Sequence, residues 1–273
     1  MRLDQLTFTR FFAAIAIVIY HYGVNILPFN HQSINFIFKQ ANIGVSYFFV
    51  LSGFVMMIAY GKNEKINFIS YIQKRLARLY PVYFLAIIIL FLLYLASPNS
   101  IINYFDIFLN ISLLQSWVPG KALSFNYPGW SLSTEMFFYL TFPFLFNHLY
   151  KKVSFQSALI SVIAFFIASQ AIFHYLINSS FYQPFPSQSH DFLHYFPLMH
   201  INEFLIGNVA GLFFMNNSFK ERNYDILIIT LITCIVILLK FNIGLNYHNG
   251  LLALLIVPLI IFMSLNNGII ASL

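Results

Sequence analysis

FTRFFAAIAIVIYHYGVNILP, residues 8–28, is an apolar run that carries an arginine and a histidine within its length. A membrane-spanning helix needs roughly 17 to 25 mostly apolar residues, so the run predicts one membrane span. No small-residue cleavage site follows it, and the run is therefore expected to stay in the protein instead of being removed as a signal peptide. Seven similar runs follow along the chain, and together they decide the fold class.

Composition agrees with this interpretation. The 273 residues are 60% hydrophobic and 8% charged, with a mean hydropathy of +0.77, which is far too apolar for an ordinary water-soluble core. The predicted fold is all-α, a polytopic helix bundle in one transmembrane domain over residues 1–273, with lipid as its main solvent. The eight predicted spans are residues 8–28, 41–60, 80–97, 133–150, 155–176, 196–215, 224–241 and 250–267. The polar-interrupted stretch Tyr104–Trp117 predicts an interfacial or re-entrant segment.

The basic residues predict the orientation of the bundle. A cytoplasmic N-terminus leaves only Lys39, Lys121 and Lys240 outside, against eleven basic residues inside. The predicted extracytoplasmic loops are residues 98–132 and 177–195. The eleven inside residues are Arg2, Arg10, Lys62, Lys65, Lys74, Arg75, Arg78, Lys151, Lys152, Lys220 and Arg222.

The same distribution argues against several function classes. The net charge of +6 is spread over short connections instead of forming one patch, so no nucleic-acid partner is expected. Cys234 is the only cysteine, which excludes an intrachain disulfide and a cysteine metal cluster. His190, His194 and His200 with Asp191 suggest a metal site, but i to i+4 spacing is common by chance and no His-Glu-x-x-His arrangement is present. The histidines are therefore interpreted as loop residues.

Arg10 and His21 are the first candidates for chemistry. Eleven α-helical positions turn through about 1100°, so the two side chains share one face about 16 Å apart. Ionisable residues inside a membrane helix face the interior of the bundle and are functional by default. Histidine suits a general base near neutral pH. Arg10 also suits an interfacial anchor, and His21 also suits a hydrogen-bonded packing residue.

Five segments resemble the membrane acyltransferases called acyltransferase family 3, and they occur in the order of that family. The resemblance covers nearly the whole chain. The segments are LDQLTFTRFFAAIAIVIYHYG (3–23), IGVSYFFVLSGFVM (43–56), KRLARLYPVYFLA (74–86), PGWSLSTEMFFYLTFP (128–143) and FPLMHINEFLIGNVAG (196–211).

The resemblance implies a function and an essential residue pair. Family members take an acyl group, usually acetyl from acetyl-CoA on the cytoplasmic side, and place it on an extracytoplasmic glycan or another small acceptor. The acyl-CoA is a substrate, so no bound cofactor is expected, and the bacterial cytoplasmic (inner) membrane is the implied location. The arginine and histidine of the first helix, here Arg10 and His21, are the family's essential pair. Ten spans are usual in the family, so this chain is expected to lack the last two.

Candidate substrate contacts follow from the other segments. Arg75 and Arg78 lie three positions apart on one helical face, where two guanidinium groups suit the phosphates of CoA, and they equally suit positive-inside anchors. Ser52, beside Gly53, suits either close helix packing or the passage of a thin pantetheine arm.

Acceptor contacts are expected near the outer end of the fourth predicted span. Trp130, Ser131 and Ser133 suit a sugar platform with hydroxyl groups, although Trp130 also suits an interfacial aromatic belt. Glu135 is suited to hold a histidine in one tautomer or to bind a sugar hydroxyl. Glu203 must face the bundle interior or be protonated.

The mechanism and two alternatives stay open at this stage. His21 is expected either to deprotonate the acceptor hydroxyl or to carry the acyl group in a two-step transfer, with Arg10 neutralising the CoA end. The first alternative is a transporter or flippase-like protein with His21, Glu135 and Glu203 on a proton path. The second is an inactive, shortened acyltransferase.

Overall fold

A computed structural model describes residues 4–97, 101, 103–241 and 243–272. Arg2, which belongs to the predicted topology, lies outside the described residues, as do positions 98–100 and 102 of the predicted loop 98–132. The α-helices are α1 Asp4–Val18, α2 Asn35–Phe38, α3 Ile43–Tyr60, α4 Phe68–Ala96, α5 Tyr104–Ile111, α6 Trp130–Phe144, α7 Phe155–Ile177, α8 Gln188–Tyr195, α9 Ile201–Asn216, α10 Asp225–Lys240 and α11 Ala253–Leu265.

Two π-helical segments extend α-helices. Ile19–Gly23, the first π turn, continues α1, and Leu145–Tyr150, the second π turn, continues α6. Short 3₁₀ helices occupy Gln115–Trp117, Tyr127–Gly129, Pro197–His200 and Ile269–Ser272. Within the described ranges, the β structure is one isolated bridge between Arg222 and Asn266.

Side chains just before several helices explain where those helices begin. Asn67, Asn103, Ser154 and Ser187 each accept a hydrogen bond from a backbone N–H in the first turn of α4, α5, α7 and α8, respectively. Such capping satisfies one of the backbone donors that the first turn leaves unpaired. The helix starts are therefore encoded locally, even where the apolar pattern begins later.

A helix lies at each of the eight predicted spans, and the all-α expectation is confirmed. Among the described residues, five helical segments are long and apolar enough to cross a membrane: Gln5–Gly23, Ile43–Tyr60, Phe68–Ala96, Phe155–Ile177 and Gln188–Asn216. The other three predicted spans correspond to Trp130–Tyr150, to α10 with 16 residues and to α11 with 13 residues.

The largest difference concerns α4. It begins at Phe68, not near the predicted residue 80, and it runs for 29 residues through Pro81. The prediction counted only the apolar part of the helix. Lysine and arginine are good helix formers, so the helix continues through Lys74–Arg78 although that stretch is charged.

Contacts divide the chain into two compact units. Unit 1 comprises Met1–Lys62, Leu159–Gln170 and Asn202–Leu273, and unit 2 comprises Asn63–Ala158 and Ala171–Ile201.

Helices α3 and α9 of unit 1 approach each other closely. A Cβ atom added to Gly53 would lie 2.2 Å from the Phe204 carbonyl oxygen, and one added to Gly207 would lie 2.1 Å from the Val50 carbonyl oxygen. Gly211 is equally tight, with Met57 Cβ at 2.7 Å. Glycines four residues apart let two membrane helices approach backbone to backbone. Gly53 therefore serves helix packing.

Unit 2 is organised around α4, α6 and the connection between them. The Tyr83 hydroxyl donates to the Asn110 carbonyl oxygen at 2.9 Å, and Tyr80 donates to Ile111 at 2.7 Å. Buried Leu113 packs with Tyr83. The predicted semi-apolar stretch is thus helical at α5 and packs against the middle of α4.

Candidate active site

Arg10 and His21 lie on one continuous helical segment of unit 1, and both are partly buried. His21 is the middle residue of the first π turn. The i to i+5 hydrogen bonding of a π-helix widens the turn, so each residue there advances by less than 100°. An uninterrupted α-helix would place His21 about 20° past Arg10 around the helix axis. The π turn reduces this angle. Single π turns inside α-helices occur frequently at functional sites.

The Arg10 end of α1 is fixed against α3. The Thr9 and Tyr47 hydroxyl groups form a short hydrogen bond, and Thr9 also donates to the Leu6 carbonyl oxygen at 2.9 Å. The Tyr47 hydroxyl lies within electrostatic range of the Arg10 charge. A hydroxyl pair one residue away thus restricts where the guanidinium can lie.

Ser52 and Glu203 are buried in the same unit. Ser52 is 5% exposed on α3, next to the glycine that contacts α9. Glu203, in the first turn of α9, is fully buried, and a Cβ on Gly250 would lie 2.3 Å from its Cγ atom. The Glu203 side chain therefore fills the space that Gly250 leaves. Its burial agrees with the expectation that it faces inward.

In unit 2, Arg75 and Glu135 come together around Tyr139. The Tyr139 hydroxyl donates to Glu135 Oε1 at 2.6 Å and lies within electrostatic range of Arg75. Arg75 also lies over the Tyr71 ring, with 5.4 Å from Cζ to the ring centroid. Arg78, three residues further along α4, is exposed. The two arginines therefore have different surroundings, although they share a helix face.

Trp130, Ser131 and Ser133 begin α6. Trp130 is 5% exposed, and its ring packs against Tyr195 and His200 at centroid distances of 5.0 and 5.3 Å. Ser133 donates to the Leu113 carbonyl oxygen at 2.6 Å, and Ser131 donates to Pro128 at 3.1 Å. The two serines thus hold the connection before α6 in place, whereas the Trp130 ring packs against α8 and the 3₁₀ helix that follows it.

Comparisons with known proteins agree with this arrangement. A family model described as an acyltransferase domain matches residues 3–270. The chain belongs to this acyltransferase family. It is similar to Acyltransferase MdmB of Streptomyces mycarofaciens, with 34% identity over 56% of this chain and 41% of that protein. It is also similar to the O-acetyltransferase OatA of Staphylococcus aureus, with 29% identity over 51% of this chain and 24% of that protein.

The chain thus spans less than half the length of these two curated relatives. No solved structure matches it. The chain is therefore a member of a family of transferases, and its helices are apolar enough to cross a membrane. The sequence predicted both properties.

The predicted site residues of this acyltransferase fall into two groups. Unit 1 contains Arg10, His21, Ser52 and Glu203, and unit 2 contains Arg75, Arg78, Trp130, Ser131, Ser133 and Glu135. Each group includes ionisable side chains on helices with apolar sequences. Their roles in the reaction remain predictions.

Sequence reasoning missed a buried polar network in unit 1. Gln170 and Asn202 both donate to the Asn249 carbonyl oxygen, at 2.6 and 3.1 Å. Ser46 donates to the carbonyl oxygen of His248 at 2.8 Å. These residues are all less than 9% exposed. The available signal was the presence of uncharged polar residues inside apolar runs, which are costly in lipid unless they are hydrogen-bonded.

The interpretation of His190 and His194 as loop residues is wrong. Both lie on α8, with stacked rings 4.0 Å apart, and Tyr182 Oη lies 3.1 Å from His190 Nδ1. The His200 ring contacts the His194 carbonyl oxygen at 2.9 Å. Within the described part of the chain, no three His, Cys, Asp or Glu side chains form a group suited to a metal ion. The cluster serves packing in unit 2.

Proposed function

We propose that this chain carries the catalytic part of an O-acyltransferase that moves acetyl from acetyl-CoA to a hydroxyl group of an extracytoplasmic polysaccharide or glycolipid. The proposed orientation has a cytoplasmic N-terminus, eight spans and the bacterial cytoplasmic membrane as its location. Family membership over residues 3–270 supports acyl transfer. The name of the relative OatA, an O-acetyltransferase, supports acetyl as the group and oxygen as the acceptor atom.

One observation carries the proposal: His21 lies in a π turn of the helix that also holds Arg10, both partly buried. In the proposed reaction His21 removes the proton of the acceptor hydroxyl. The resulting oxygen attacks the thioester carbonyl carbon, the C–S bond breaks, and CoA leaves as the thiolate, which takes up a proton. Arg10, on the same helical segment towards the proposed cytoplasmic end, orients the negatively charged CoA.

The donor side is assigned to Arg75 and Arg78. Guanidinium groups bind phosphate through paired, charge-assisted hydrogen bonds, and CoA presents several phosphate oxygens. Arg78 is exposed and is proposed to make the first contact. Arg75, held over Tyr71, is proposed to couple that contact to the Tyr139–Glu135 pair. Ser52 is proposed to line the path of the pantetheine arm.

The acceptor side is assigned to the start of α6. Glu135 accepts a hydrogen bond from Tyr139 and keeps further acceptor capacity for a sugar hydroxyl. Trp130, Ser131 and Ser133 shape this region through the contacts that hold the preceding connection. Glu203, which is fully buried, is proposed to fix the interior of unit 1 around the reaction path.

The decisive experiment uses full-length protein in sealed vesicles with acetyl-CoA on one side and a glycan on the other. Release of the CoA thiol and acetylation of the glycan are measured together, and the expected result is equal amounts of both. Movement of substrate without release of the CoA thiol would instead establish a transporter. Radiolabelled acetyl that stays on the protein when glycan is omitted would establish the two-step route through His21.

Arg10→Lys tests the assignment of the donor end. It keeps the charge and the topology but loses the bidentate geometry of guanidinium, so turnover should fall about tenfold. Lys62→Arg, an exchange of the same two residue types at an exposed position of unit 1, is the matched control and should retain turnover. Equal turnover in all three proteins would contradict the role of Arg10.

A further inference from the structure

Unit 1 contains a polar cavity that none of the proposed catalytic residues lines. Its volume is about 240 Å³, and it lies between the connection before α3 and the connection before α11. Its polar lining residues are Lys39, Gln40, Asn42, Asn246, Tyr247 and His248. A volume of this order has room for a polar ligand of the size of one pyranose ring.

The cavity wall is held by specific hydrogen bonds. Asn42 Nδ2 lies 3.1 Å from His248 Nδ1, and the His248 backbone N–H donates to Asn246 Oδ1 at 2.9 Å. Ser46 donates to the His248 carbonyl oxygen, and Gln40 donates to the Leu239 carbonyl oxygen at 2.6 Å. His248, 7% exposed, is thus fixed at its backbone and at its ring. The site exists before a ligand arrives.

The contact with Asn42 also fixes the orientation of the His248 ring. An amide nitrogen donates and does not accept, so Nδ1 is the acceptor in this pair. The ring is therefore held in one orientation at the polar wall of the cavity.

Tyr247 supplies a second polar group. It is 7% exposed, and its hydroxyl has no hydrogen-bond partner among the described residues. A buried hydroxyl without a partner costs roughly 1–3 kcal/mol. A ligand hydroxyl that reaches this group would satisfy it.

The described residues that line the cavity include one cation, Lys39, and no aspartate or glutamate. Glu203, whose side chain lies against Gly250, is not among them. A cationic, amide-rich wall without a carboxylate favours a ligand that carries both hydroxyl groups and a negative charge.

We infer that this cavity binds a carboxylate-bearing sugar residue of the acceptor glycan. The carboxylate lies against Lys39, and the ring hydroxyls meet His248, Tyr247 and the amide groups of Asn42 and Asn246. The inference rests on the proposed function, because the proposed orientation puts both connections on the extracytoplasmic side. It goes further in stating that the acceptor is acidic.

The test is equilibrium binding without any acyl donor, using the full chain in nanodiscs. The probes are a hexasaccharide of galacturonic acid and its methyl ester, which differ at the carboxyl groups, charged in the first and neutral in the second. Wild-type protein should bind the acid at least tenfold more tightly. Lys39→Gln should remove that preference, whereas Lys62→Gln, an exposed lysine of the same unit that does not line the cavity, should keep it.

Tyr247→Phe separates hydroxyl recognition from charge recognition. It should weaken both probes about threefold to tenfold and leave their ratio unchanged. Equal binding of the two probes by wild-type protein, or an unchanged preference in Lys39→Gln, would overturn the inference. Acetyl transfer is measured separately. Selective binding of the acid without transfer would contradict the proposed function alone. Transfer without a charge preference in binding would contradict only the acidic-sugar site.

Discussion

The two π turns share a backbone irregularity but differ in what causes it. The second, Leu145–Tyr150, follows Pro143, and its Asn147 pairs with the backbone of Ile66 through two hydrogen bonds of 2.9 Å. Phe146 and Tyr150 in this turn are buried. The first, Ile19–Gly23, contains no buried residue, and no proline precedes it in α1.

This difference indicates which of the two π turns is associated with the proposed acyl transfer. The two hydrogen bonds between Asn147 and the backbone of Ile66 give the second π turn a structural cause. The first has no such cause and carries His21. Helix distortions persist when the surrounding structure or a function requires them. Both turns contain a histidine, which makes a matched comparison possible.

The largest expected effect is the loss of transfer in His21→Gln. Glutamine keeps hydrogen-bonding capacity but cannot take up a proton near neutral pH, and general base catalysis contributes roughly 10²–10⁴-fold. Acetylation of the glycan should therefore fall at least about 100-fold at equal protein level in the membrane. His148→Gln, at an exposed position of the second π turn, is the control and should stay within about twofold of wild type. Comparable losses in both variants would remove the functional distinction between the turns.

The next effect concerns stability and belongs to the second turn. Asn147→Ala leaves the N–H and C=O groups of Ile66, which is 3% exposed, without their partner. The free energy of unfolding should fall by about 1–3 kcal/mol, measured by thermal unfolding in detergent. Tyr22→Ala in the first turn, at a side chain that is 72% exposed, should cost less than about 0.5 kcal/mol. A larger loss for Tyr22→Ala would mean that the first turn is also structural.

A smaller effect is expected for the contact that fixes α1. Tyr47→Phe removes the hydroxyl bonded to Thr9 and should cost about 1 kcal/mol. Because this hydroxyl also lies near Arg10, KM for acetyl-CoA should rise while His21 continues to function. Steady-state kinetics at two temperatures separate this effect from unfolding. A fall in kcat with an unchanged KM would place the contact in the chemical step instead.

The smallest effect is expected for Pro143→Ala. Alanine restores a backbone donor inside α6, so the free energy of unfolding should increase by up to about 1 kcal/mol and transfer should be unchanged. Hydrogen exchange of residues 144–150 would show slower exchange if the proline causes the second π turn. Unchanged exchange would assign that turn to Asn147 alone.

Much of the fold followed from the sequence because lipid imposes a simple rule on apolar runs. Each of the eight predicted spans contains a helix, since runs of that length have few alternatives. The start of α4 could not be predicted in this way. Hydropathy indicates which residues contact lipid, whereas a helix continues wherever its backbone hydrogen bonds are satisfied. Pro81 lies in the interior of this longer helix.

The candidate site was predictable where single residues stand out. Arg10, His21 and Glu203 are ionisable residues in apolar runs. Because exposing such residues to lipid costs free energy, they are recognisable as candidate functional residues. The polar cavity was not predictable, because Asn42 and His248 are 206 positions apart and meet only through tertiary folding. Neither residue is unusual in its own segment. The first π turn was also missed, since the helical pattern is equally compatible with an uninterrupted α-helix.

The 29 residues of α4 make a rod of about 43 Å, whereas the hydrocarbon layer of a bilayer is about 30 Å thick. The excess length, about nine residues, is taken up by tilt or by projection of the charged first part of the helix into the headgroup layer. Arg75 and Arg78 lie near the Phe68 end of that rod. The tilt of α4 in the surrounding lipid thus sets the depth at which both guanidinium groups meet the aqueous phase.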